Sequence, residues 1–118
     1  MKFKNRKMCK QCPWRNNAAQ GWLGTASPEN MTAQIDFGTK MPCHSTVNYD
    51  DPNWQAQLQT DKAQYCTGVL QASNKACKVP RDLEHAKAVN HVTLQEDHMS
   101  IEEFTEYHNQ ATVKSWEL

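Results

Sequence analysis

The sequence predicts a small, mainly α single domain, metal-stapled, with irregular loops and few or no strands. Three observations predict it. The chain is short, at 118 residues, which is one domain by the usual measure. It is poor in apolar residues, at 38%, against a globular norm of roughly 45–50%. It carries five cysteines and four tryptophans, which offer a staple and a few large anchors in place of an extended aliphatic core. A chain this small is marginal on core packing alone. Its mean hydropathy of −0.85 sharpens that conclusion.

Residues 1–8 read as a basic arm with no period. Six Lys and Arg (Lys2, Lys4, Arg6, Lys7, Lys10 and Arg15) and no acid fall within residues 1–15. Such an arm can neutralise phosphates, or lie solvated against the acidic end of the chain. Residues 82–118 hold eight Asp and Glu against two Lys.

Cys9-Lys10-Gln11-Cys12-Pro13-Trp14-Arg15 is the first ligand loop. Residues 16–26 have loop composition, with Trp22 and Leu23 as anchors. Ser27-Pro28-Glu29 is a helix start, with Ser as N-cap and Pro at N1. Met31 and Ile35 form its apolar face, and Gly38 ends it. Met41-Pro42-Cys43-His44 follows as an extended or turn segment.

Asp50-Asp51-Pro52 repeats the start signal. Trp54, Leu58, Tyr65, Val69 and Leu70 fit helical spacing, with a break near Asp61. Cys66 falls within or at the start of a helix running towards Ala76. Gly68 beside it permits close backbone approach. Pro80 and Asp82 open another helix, with Val79, Leu83, Ala86 and Val89 at core spacing. Ser100 and Glu103 form a capping box. The last helix puts Ile101, Phe104, His108 and Ala111 on one stripe, with Trp116 beyond it. The organisation is thus a basic arm over 1–8, a cysteine-site core over 9–90 and an acidic C-terminal helix over 91–118.

Cys9, Cys12, Cys43 and Cys66 are the candidate metal ligands. Thiolates select zinc or iron–sulfur clusters, and binding energy at such a site is folding energy. One close pair with two lone cysteines suits a cubane, 4Fe-4S, which is the favoured cofactor; zinc is the alternative. Trp14, Arg15 and His44 are candidate cofactor-shell residues. Trp14 shields a cluster or packs as core, and Arg15 donates to sulfur or meets phosphate. His44 caps, hydrogen-bonds a sulfur or replaces Cys43. Cys77 is a spare ligand or a small buried hydrophobe. His85, His91, His98 and His108 lack the i, i+4 pairing of a helical zinc site. No phosphate-binding glycine loop or nucleophile elbow is present.

These residues resemble a family of short phage and bacterial proteins marked by Cys-x2-Cys-Pro-Trp-Arg, a later Cys-His pair and a Cys-small-Gly motif. The match runs over roughly residues 8–85. The resemblance implies the same ligands and a phage-type context, without an assigned activity. The first motif alone is also similar to WhiB-like iron–sulfur regulators, which implies a cluster and a transcriptional setting.

The resulting expectation is a small metal-binding accessory protein acting as a binding or regulatory module on a host protein or nucleic acid. A redox enzyme or sensor with a labile cluster is the first alternative. A structural zinc protein with a partner-binding acidic helix is the second. Catalytic residues are not expected. No apolar run spans a membrane and no signal-peptide h-region is present. The chain is therefore expected in the cytoplasm, that of the host cell if phage-encoded.

Overall fold

The computed structural model describes residues 1–3, 7–21, 23, 27–43, 46–60 and 62–117, with side chains described through residue 110. Among the described residues the fold is mainly helical. Five helices follow one another: α1 (Pro28–Asp36), α2 (Trp54–Gln57), α3 (Thr67–Lys75), α4 (Leu83–His91) and α5 (Ile101–Glu117). The extended segments meet only as isolated bridges: Lys2 with Gln64, Arg15 with His98 and Pro42 with Tyr65.

The helix ends follow local chemistry. Ser27 Oγ accepts from the Asn30 amide at 3.0 Å, and Pro28 opens α1. Gly38, with φ of 70°, closes it. The Gly38 amide donates to the Ile35 carbonyl and the Thr39 amide to Gln34, the paired bonds of a Schellman motif. Met31 and Ile35 are buried, as their spacing predicts.

Asp82 caps α4 by accepting from the His85 amide at 2.9 Å. The capping box of α5 is closed both ways. Ser100 Oγ accepts from the Glu103 amide at 3.2 Å, and Glu103 accepts from the Ser100 amide at 3.0 Å.

The expected helix after Pro52 is a single turn, α2, with no buried residue. The chain then straightens through Gln64 and Tyr65 before α3 begins. α4 is rotated from its expected face: Val79 and Leu83 are exposed, while His85, Ala88 and Val89 are buried. The reason is a partner the spacing does not reveal, because Tyr65 stacks on His85 at 5.3 Å.

The N-terminus is not a free arm where it is described. The Met1 ammonium donates to the Leu58 carbonyl at 2.9 Å. The Lys2 amide donates to Ala63 O at 2.8 Å, and the Tyr65 amide to Lys2 O at 3.0 Å. Lys4 and Arg6 lie outside the described residues.

Two apolar clusters result. The larger gathers Met8, Cys12, Trp14, Met31, Ile35, Val69, Ala72, Met99 and Phe104. Leu23 packs at its edge, as expected; Trp22 lies outside the described residues. The smaller gathers Tyr65, Leu70, Ala88, Val89 and Val92, joined by Met1 and Phe3. α3 is the shared wall, with Val69 and Ala72 facing one cluster and Leu70 the other.

Candidate metal centre

Three separate segments bring four thiols into contact. The first is the turn at Cys9–Cys12. Its shape comes from backbone bonds: the Cys12 amide donates to Cys9 O and the Arg15 amide to Cys12 O, both at 3.2 Å. The second is Cys43, held by its amide on Gln64 O at 2.8 Å. The third is Cys66, whose amide donates to Met41 O at 2.8 Å and which serves as N-cap of α3.

The Cys9 thiol meets those of Cys12 and Cys43, and the Cys12 thiol also meets that of Cys66. Cys12 and Cys43 are buried, and Cys9 and Cys66 are partly exposed. Among the described residues, no three His, Cys, Asp or Glu side chains take the arrangement of a ready-made metal site. The thiols touch in a row from 43 to 9 to 12 to 66.

Backbone amides point at three of these sulfurs. Those of Gln11 and Trp14 serve Cys9 and Cys12, and those of Gly68 and Val69 serve Cys66. Amide donors at a sulfur favour its ionised form. The Cys9 thiol is drawn down to about 5, first by its hydrogen bond with Cys12, with help from the Gln11 amide and the Arg15 charge. The Cys66 thiol is also lowered, first by Cys12 and then by the amides at the start of α3. Cys12 carries the cost: its hydrogen bonds to Cys66 and Cys9, and its burial, push its thiol far up. Cys12 is therefore the thiol of the three that most strongly keeps its proton.

Gly68 is what lets α3 approach this closely. A Cβ there would lie 2.6 Å from Cys12 Sγ and 2.7 Å from Trp14 Cδ1. Both distances are below any real contact, so the Cys-Thr-Gly sequence has a steric cause.

Arg15 faces inward. Its Nε donates to Cys9 O at 2.7 Å, its Nη2 to Met8 O at 2.6 Å, and its Nη1 pairs with Asp97 Oδ2 at 2.5 Å. The planar fork thus clamps the ligand loop, and a phosphate would have to displace Asp97.

Trp14 is fully buried. It stacks on Phe104 at 3.8 Å and on His98 at 5.5 Å. Its indole Nε1 is buried without a hydrogen-bond partner among the described residues. His44 lies outside the described residues. Cys77 is exposed and stands at the far end of α3 from Cys66, so it joins neither the thiols nor the core.

Several residues around the site carried no sequence signal. Tyr49 packs on Trp54 at 5.1 Å. Its phenol is raised by burial and then by the charges of Cys43 and Cys66. His108 accepts from the Gly21 amide at 2.9 Å through Nδ1, which leaves Nε2–H to donate to Pro13 O at 2.8 Å. His98 Nε2 meets Gly68 O at 2.8 Å, and its Nδ1 meets the Lys75 ammonium at 3.2 Å. Gln95 accepts from the Met8 amide at 2.7 Å and from Gln71 Nε2 at 2.9 Å. The hydrogen-bond partners of His98, His108 and Gln95 are 23 to 95 residues apart in sequence. Only the burial of a histidine between apolar neighbours at 104 and 111 hinted at any of them.

A groove of about 470 Å³ lies elsewhere, between the ends of α1 and α3, lined by Phe37, Gly38, Cys77, Val79 and Arg81 among others. No helix among the described residues is long and apolar enough to cross a membrane. The chain matches no family model, no curated protein and no solved structure. The likeness to the Cys-x2-Cys-Pro-Trp-Arg proteins therefore rests on the motif residues alone.

Proposed function

We propose that this protein is a small binding module built on a structural zinc ion held by Cys9, Cys12, Cys43 and Cys66. The observation that carries the reading is the contact among four thiols drawn from three distant segments. Zinc–thiolate bonds of about 2.3 Å put tetrahedral ligand sulfurs at roughly van der Waals contact. A cubane binds each thiolate to a different iron and needs its ligand sulfurs well apart. Three of the six sulfur pairs lie within hydrogen-bonding reach, closer than the ligands of a cubane stand, which is why a single ion is taken here over the cubane expected from the sequence spacing. Amide donors at three sulfurs add to this, because they stabilise the thiolates a metal requires.

A four-thiolate shell leaves no open position for a substrate. The role it supports is structural, holding the loop, the chain at Cys43 and α3 at one point. Zinc uptake must displace the proton kept on Cys12, so affinity should weaken as pH falls.

Metal content and the absorption spectrum of anaerobically purified protein test this directly. The expected result is a colourless protein with one zinc per chain. Cys43→Ser should lose that zinc and Cys77→Ser should keep it. A brown preparation containing iron and sulfide would replace zinc with the cluster. A protein that takes up no metal would end the reading.

A further inference from the structure

We infer that the thiol site governs the docking of the C-terminal segment 95–117, so that removing the metal frees this segment while α3 and α4 stay packed. The inference rests on the metal reading above and adds a moving part to it.

The segment is fastened to the ligand loop and, at its start, to α3, where Gln95 bonds Gln71 and His98 meets the Gly68 carbonyl and the Lys75 ammonium. Asp97 holds Arg15 at 2.5 Å. The Asn16 amide donates to Asp97 O at 2.8 Å, and the Met99 amide to Trp14 O at 2.9 Å. Phe104 lies on Trp14, and His108 bridges Pro13 and Gly21. Tyr107 donates its hydroxyl to Ala18 O. Beyond the loop, α5 leans on α1, where Asn109 meets Glu29 at 2.6 Å.

The loop has little of its own to keep this shape. Residues 7–21 form no helix, and their internal backbone bonds are single turns at Cys9–Cys12, Cys12–Arg15 and Arg15–Ala18. The smaller cluster is independent of all this. Tyr65, Leu70, Ala88, Val89 and Val92 share no residue with the loop or with α5. Proteins open in such cooperative units, and the unit with fewest independent contacts opens first.

Hydrogen exchange read by mass spectrometry on the full chain tests this, zinc-loaded and after chelation, with zinc counted by native mass spectrometry. Residues 95–110 should exchange at least about ten-fold faster once zinc is removed, with residues 67–75 and 83–91 changing by less than about two-fold. Equal acceleration everywhere would overturn the inference, as would unchanged protection of 101–110 after confirmed zinc loss. Failure to load zinc at all would overturn the metal reading instead. The coupling is reciprocal, so Phe104→Leu, which is not itself a ligand, should weaken zinc binding about five-fold or more in a chelator competition. Unchanged affinity in a folded Phe104→Leu protein would count against it.

Discussion

At Gly68 one carbon decides whether the site can form. Gly68→Ala would drive a methyl into Cys12 Sγ and the Trp14 ring, both of which are buried, with Phe104 stacked behind the ring. Overpacking of this kind costs roughly 1–3 kcal/mol. Urea unfolding of the metal-loaded variant should show that loss, together with weaker metal binding. Cys77 is the opposite case. It holds a φ of 58° just past α3, with its amide on Asn74 O at 3.1 Å and the Lys78 amide on Ser73 O at 2.9 Å. That is the Schellman position glycine fills at Gly38. Left-handed backbone costs a residue with a side chain about 1 kcal/mol. Cys77→Gly should therefore stabilise the protein by about that amount in the same assay, with its metal content unchanged. The cysteine that looked like a spare ligand is a helix terminator.

Among the elements, α1 shows how far a cap reaches. Ser27 bonds only its own first turn, yet α1 carries Met31 and Ile35 into the main cluster and supports α5. Ser27→Ala should cost about 1 kcal/mol, read as a lower urea midpoint with an unchanged slope. α5 is a structural element in its own right. Phe104 and His108, which the sequence sets on one stripe, are fully buried against residues 13–21. The segment after residue 90 is thus half of the ligand loop's support. α3 joins the two scales, placing Cys66 at its start, Gly68 under the knuckle and Leu70 in the second cluster.

At the scale of the molecule, three buried histidines set the acid limit. His98, His85 and His108 all have their pKa lowered, chiefly by burial, and His98 falls to about 4. Around His98 stand Lys75, Asp97 and Glu103; the carboxylates and the Gly68 carbonyl only partly offset its burial. The unfolded chain binds protons at these groups near pH 6.5 and the folded chain resists until lower pH. Their stability contribution is therefore complete above about pH 6.5 and is lost as pH falls below it, towards about 4 for His98, at up to about 1.4 kcal/mol per pH unit for each proton taken up. Urea midpoints measured from pH 8 to pH 5 should fall below pH 6.5. For metal-free protein the same decline should persist and be shallower in His98→Asn.

Much of the plan was legible from local signals. Ser27, Asp82 and Ser100 start helices because a cap acts over three residues of chain. Cys9 and Cys12 form a turn because two intervening residues leave little choice. The set of four thiols was legible from residue type, and their contact required the fold. What the tertiary structure alone decided involves residues far apart in the chain. It turned Arg15 inward, buried His85 in place of Leu83 and laid Phe104 on Trp14. Each of those choices depends on which distant surface arrives, and with few aliphatics in the chain no strong period marks the arriving face. Sequence by itself determined where α1, α4 and α5 begin and singled out four thiols as candidates. Packing determined that those thiols meet, and that Phe104 of the C-terminal helix lies against Trp14 beside them.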